Sequence, residues 1–143
     1  MEESSRPVTV NAKAGSIMPM LASGTGRTFA AFLPPAMVDV LIQRELADSR
    51  RRAAAGNIRS RTALTVLLDA VRQAGMAGVT GEMMPGVHAL SGPLFDRTGL
   101  TVACLTCMGT AWPFDSVLDG RVARALFAAA RQVSAQMGDV TPG

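Results

Sequence analysis

The chain has 143 residues, 48% of them hydrophobic, with 14 basic and 11 acidic side chains and a formal charge of +3. This is the size of one domain with room for a real core, and the charge is too small to mark a nucleic-acid-binding protein. No apolar run reaches the ~18 residues of a membrane span, and the acidic start MEESSRPVTV does not resemble a secretory signal, so no membrane partner and a cytoplasmic location are expected.

Taken in order, Val8-Thr9-Val10 alternates and is expected to form a short strand, leading to a turn at Ala14-Gly15-Ser16. Ile17–Leu21 is apolar but interrupted by Pro19. Ser23 is then a good N-cap for a short helix through Phe32 and Leu33, stopped by Pro34-Pro35. Gly24 and Gly26 sit in its first turn, where bare N–H groups at the positive end of the helix favour an anion or carboxylate. GTG alone fits neither a P-loop nor a dinucleotide fingerprint, and close helix packing explains the glycines as well.

Pro35 opens a second helix, whose apolar set is Met37, Val38, Val40, Leu41 and Leu46. Arg50, Arg51 and Arg52, with Arg59 and Arg61 nearby, form the one basic cluster, which reads as a solvated surface or as contact with an acidic partner. A third helix over 62–74 buries Leu64, Leu67, Leu68 and Val71 and ends at Gly75. Ala77–Thr80, Val87–Phe95 and Leu100–Met108 read as strands. A last helix, capped by Asp115 or Ser116, carries Val117, Leu118, Val122, Leu126, Phe127, Ala130, Val133 and Met137 on one side. Short connections make the strands an antiparallel meander in an α+β fold, with the helices segregated to one side.

The hairpin is the centre of this reading. Asp96-Arg97-Thr98-Gly99 suits a type I turn, and pairing Asp96 with Gly99 sets Ala89 opposite Thr106, Val87 opposite Met108 and Ser91 opposite Cys104. A one-residue bulge would swap faces on one arm. Cys104 and Cys107 form a CxxC, for which a zinc half-site or a redox pair is the functional reading. Three residues apart in a strand they point to opposite faces, and His88 is the only histidine. No metal, no disulfide and no cofactor are expected, and the thiols read as small buried residues.

Four stretches together carry a resemblance: IMPMLASGTGRTFAAFL, VRQAGMA, GEMMPGVHALSGPLFDRTGL and TVACLTCMG. In order and spacing they resemble the effector-binding domain of the IclR family of bacterial transcriptional regulators. The resemblance implies a GAF-like fold, a curved and mostly antiparallel sheet with helices packed around it, assembling as a homodimer or homotetramer. It implies a small-molecule effector in a cavity closed by the SGTG segment, and no enzymatic activity. The winged helix-turn-helix, linker helix and opening strands of such regulators have no counterpart here. Residues 1–143 are therefore expected to be an N-terminally truncated effector domain, with DNA contacted only through the absent N-terminal domain.

By position, the resemblance places effector contacts at Gly24, Thr25, Val79, Ala89, Thr106 and Met108, with Met18 and Val10 as apolar walls. Where members that bind small keto acids have Asp, Cys and Ser, this chain has Val79, Ala89 and Met108. The expected ligand is therefore amphiphilic, an aromatic or branched carboxylic acid, with an acceptor for the Gly24–Thr25 N–H groups and the Thr106 hydroxyl. A GAF-like cysteine-dependent enzyme, with Cys104 as the thiol facing the cavity, and a purely structural dimerisation module are the alternatives.

Overall fold

A computed structural model describes residues 19–48, 58, 60–82, 85–110, 118 and 120–138. The expected strand at 8–10, the turn at 14–16, Val10, Met18, the arginines at 50–52 and 59, and the expected cap at 115–116 lie outside the described residues. Within them, four helices and three strands follow in the order α1 (Gly24–Phe32), α2 (Pro35–Ala47), α3 (Arg61–Ala74), β1 (Ala77–Thr80), β2 (Val87–Phe95), β3 (Thr101–Thr110) and α4 (Arg121–Gln136).

Local chemistry sets the helix ends. Ser23 caps α1 by accepting the Gly26 N–H at 2.9 Å while donating to the Pro19 carbonyl at 2.6 Å. Pro35 stands at the start of α2, where a missing N–H costs nothing. Ser60 caps α3, and Gly75 closes it at φ 78°, a left-handed conformation that suits glycine.

The sheet is antiparallel in the order β1-β2-β3. Its core falls into two clusters. On one face Leu21, Ala30, Val38, Ile42, Leu64, Leu68 and Ala77 pack between the sheet and α1–α3. On the other, Met76, Leu90, Ala123 and Leu126 pack under α4. Burying a side chain such as Leu21, Leu64 or Leu90 completely contributes about 2 kcal/mol. The helices therefore cover both faces, correcting the expectation that they gather on one. The cause lies in β2, whose alternate positions Ala89 and Ser91, and Leu90 and Leu94, are all buried, so that neither face can be left to water.

Two helices differ from their expected faces. On α2 the buried residues are Val38, Ile42 and Glu45, while Met37, Val40 and Leu41 point outward. Glu45 goes inward because its carboxylate accepts the N–H groups of Met20 and Leu21 at 2.6 and 3.0 Å. The last helix described runs from Arg121 with Gly120 as its N-cap, and it buries Ala123, Leu126, Ala130 and Ser134. Phe127, Leu118 and Met137 are exposed instead. A stripe of small residues lets α4 lie close: a Cβ on Gly92 would sit 3.7 Å from that of Ala130, and Ser134 Oγ accepts the Phe95 N–H at 3.0 Å. The Arg131 guanidinium covers the exposed Phe127 ring at 5.9 Å.

The hairpin register also differs. Ala89 pairs with Met108, Ser91 with Thr106 and Val87 with Thr110, two residues along from the expected pairs. Two separate one-residue irregularities produce this. At the turn, Gly99 donates to the Asp96 carbonyl and the Asp96 N–H reaches Leu100, with Gly99 at φ 78°, the bulged form of the type I hairpin. A second shift between Leu94 and Phe95 leaves Val102 as the extra residue of β3. Each shift alone inverts a face; together they restore it.

Candidate functional site

The double shift keeps the expected residues on one face. Val79 pairs with Ala89, and Ala89 with Met108, so the three form a single row across β1, β2 and β3. The next row on that face is Ala77, Ser91 and Thr106. Val79 and Ala89 are buried, whereas Thr106 and Met108 are partly exposed. The start of α1 lies over the second row: a Cβ on Gly24 would meet that of Ser91 at 3.3 Å, and Thr25 Oγ1 is 2.7 Å from Thr106 Oγ1. Six of the eight expected site residues thus gather at one place, while Met18 and Val10 are outside the described residues.

The N-terminal turn of α1 is held by its surroundings. A Cβ on Gly26 would stand 2.3 Å from the Pro19 carbonyl oxygen, so only glycine fits. Arg27 is buried, donating from Nε to the Leu21 carbonyl at 2.7 Å and from a terminal nitrogen to the Gly78 carbonyl at 3.1 Å. Burial lowers the affinity of this guanidinium for its proton, and Glu82, 3.7 Å away, opposes that. The one Thr28 hydroxyl proton is shared between the Gly24 carbonyl at 2.8 Å and the Ser91 carbonyl at 3.1 Å, joining α1 to β2. Arg27, Glu45 and Ser91 have no signature in the sequence as site residues, because a lone Arg, Glu or Ser carries no pattern. Nothing local marked them.

Polarity at the site is asymmetric. The row of Val79, Ala89 and Met108 offers no side-chain donor. Donors come from the Gly24 and Thr25 N–H groups, which have no acceptor among the described residues, at the end of α1 where the helix dipole is positive. The Thr106 hydroxyl, expected to be free for a ligand, donates instead to Ser91 Oγ at 2.9 Å.

Cys104 pairs with Pro93 rather than Ser91, and its Sγ lies 3.9 Å from the Thr25 carbonyl oxygen. Burial pushes its thiol up to about 12, with the Ser91 hydroxyl opposing the shift. Cys107 packs on the other face with the α4 cluster. The two thiols are therefore separated by the sheet, as strand alternation requires. His88, next to Ala89 in β2, alternates to the face opposite the site. A cleft of about 140 Å³ lies elsewhere, between α2 and α3, lined by Val38, Ile42, Leu64 and Leu68 and by the 2.8 Å Arg61–Asp39 pair.

Comparison with known proteins agrees with this architecture. A family model described as the bacterial transcriptional regulator IclR C-terminal domain matches residues 2–135. The HTH-type transcriptional regulator KdgR of Escherichia coli (strain K12) is 33% identical over 88 residues, which are 62% of this chain and 34% of that protein. The crystal structure of Pseudomonas aeruginosa HmgR superposes with a TM-score of 0.81 at 39% identity, covering 99% of this chain and 54% of that one. The Thermotoga maritima IclR structure has the same fold at 21% identity, with a TM-score of 0.77 over 96% of this chain and 54% of that one. The chain thus spans about a third of the curated relative and about half of the solved ones. Among the described residues no helix is long and apolar enough to cross a membrane. With a family model matching nearly its whole length, the chain belongs to the IclR family of bacterial transcriptional regulators, in the part that forms their C-terminal domain.

Proposed function

We propose that this domain senses a small amphiphilic carboxylic acid and passes its presence to the DNA-binding, winged helix-turn-helix part of a cytoplasmic regulator. The observation that carries the reading is the apolar row Val79–Ala89–Met108 beside the open N–H groups of Gly24 and Thr25. An apolar ligand body gains about 25 cal/mol for each Å² it buries against such a wall. A small polar acid leaves groups unpaired there, at about 1–3 kcal/mol each. The carboxylate is held at the start of α1, where charge and N–H direction favour it. The bound domain acts as a homodimer or homotetramer, and residues 1–143 are the ligand-binding portion.

Catalysis by Cys104 is disfavoured, because a thiol with its pKa pushed up to about 12 holds its proton at neutral pH. Thermal-shift titration tests the sensing role. Aromatic and branched carboxylic acids should raise the melting temperature, while glyoxylate and pyruvate leave it nearly unchanged. Met108→Ser should weaken the response to the aromatic acids. Tight binding of glyoxylate by the unmodified chain would overturn this account of the pocket.

A further inference from the structure

The hydroxyls beside the site are joined in a directed chain. Thr106 Oγ1 donates to Ser91 Oγ, and a hydroxyl has one proton to give. The 2.7 Å contact between Thr25 Oγ1 and Thr106 Oγ1 is therefore one in which Thr25 donates. Ser91, which accepts that proton, is wholly buried. Each proton points inward, towards the sheet. Only lone pairs of Thr25 and Thr106 remain for a ligand, and the nearby donors are backbone N–H groups.

We infer that Ser91 determines specificity: by accepting the Thr106 proton it makes the Thr25–Thr106 pair an acceptor, selecting acids with a hydroxyl next to the carboxylate. Thr25 supplies both an N–H and an Oγ, so the ligand's carboxylate and hydroxyl must lie close together, as in a 2-hydroxy acid. A keto oxygen in the same place meets lone pairs and gains no partner, and an unsubstituted acid leaves the Thr25 oxygen without a donor. The inference rests on the ligand site proposed above.

Calorimetric titration of the chain with three acids of one skeleton tests it: mandelate, phenylglyoxylate and phenylacetate. Mandelate should bind about tenfold tighter than either of the others, the order of effect for one unpaired group. In Ser91→Ala the Thr106 hydroxyl is free to turn outward as a donor, so the preference for mandelate over phenylglyoxylate should vanish or reverse. Should that variant not fold, Ser91→Cys, whose thiol is a weak acceptor, serves the same comparison. Equal or tighter binding of phenylglyoxylate or phenylacetate by the unmodified chain overturns the role of Ser91 and leaves the site standing. So does a mandelate preference that the Ser91 variant keeps. Failure of all three acids to bind overturns the site reading and this inference with it.

Discussion

Glu45 and Leu21, 24 residues apart, are joined inside the protein: one carboxylate oxygen of Glu45 takes the Leu21 N–H at 3.0 Å, and the other takes that of Met20. This fastens α2 to the segment that leads into the Ser23 cap. Glu45→Gln keeps one acceptor but sets an NH₂ against the second N–H. We expect it to cost about 1–3 kcal/mol in denaturant unfolding. Wild-type stability in that variant would show that the two bonds do not matter.

Gly26 and Gly24 should respond very differently to alanine. At Gly26 the new Cβ meets backbone at 2.3 Å and 2.5 Å, and backbone cannot move aside without breaking the cap. Gly26→Ala is expected to cost about 3 kcal/mol or more. At Gly24 the nearest atom is the Ser91 Cβ at 3.3 Å, so Gly24→Ala should stay within about 1 kcal/mol of the parent. Equal melting temperatures for the two variants would contradict this.

Thr101 is buried, and its hydroxyl has no hydrogen-bond partner among the described residues. Such a group forgoes its bonds to water, and valine has nearly its shape with a stronger preference for strands. Thr101→Val should therefore stabilise the domain by about 1 kcal/mol, read as a higher denaturation midpoint. A lower midpoint would mean that the hydroxyl is satisfied in solution.

Cys104 gives the domain an alkaline limit. Its folded pKa is raised from 9.0 to about 12, so between those values the unfolded chain releases the proton while the folded one keeps it. Stability should be full below pH 9 and fall as the pH rises towards 12. The chain has no tyrosine to titrate in that window. Cys104→Ser should flatten the decline, and iodoacetamide at pH 8 should modify Cys104 in the native protein far more slowly than in the unfolded one. Equal rates would refute the burial argument.

Met37, Val40 and Leu41 stand outward on α2, at the helical spacing that puts them on one side. Together with 48% hydrophobic content, this leads us to expect at least a dimer in solution. Sedimentation at tens of micromolar should show it, and a monomer there would sink the idea.

Much of this was legible in advance. Helix starts with a named cap, such as Ser23 and Pro35, and strands of Val, Leu and Thr announce themselves through local chemistry. The row of Val79, Ala89 and Met108 followed from family position, although the pairing drawn from the turn alone was two residues off. A bulge at Val102 leaves no mark in sequence, because it is made at an ordinary negative φ where no glycine is required. The burial of Glu45 was hidden for the opposite reason: a charged side chain reads as surface, and only its distant N–H partners justify burial. The outward turn of Phe127 was hidden too, since the sheet-facing side of α4 is taken by small residues, Ala130 against Gly92 and Ser134 against the Phe95 N–H.

The paired irregularities of the hairpin have a consequence for how this domain can diverge. A descendant that gained or lost a single residue between Phe95 and Ala103 would send Thr106 and Met108 to the α4 side and bring Leu105 and Cys107 under α1. Gain or loss of two residues would leave every side chain where it was. Inherited length in this arm should therefore change in steps of two, and a lineage with an odd step should carry a compensating one nearby.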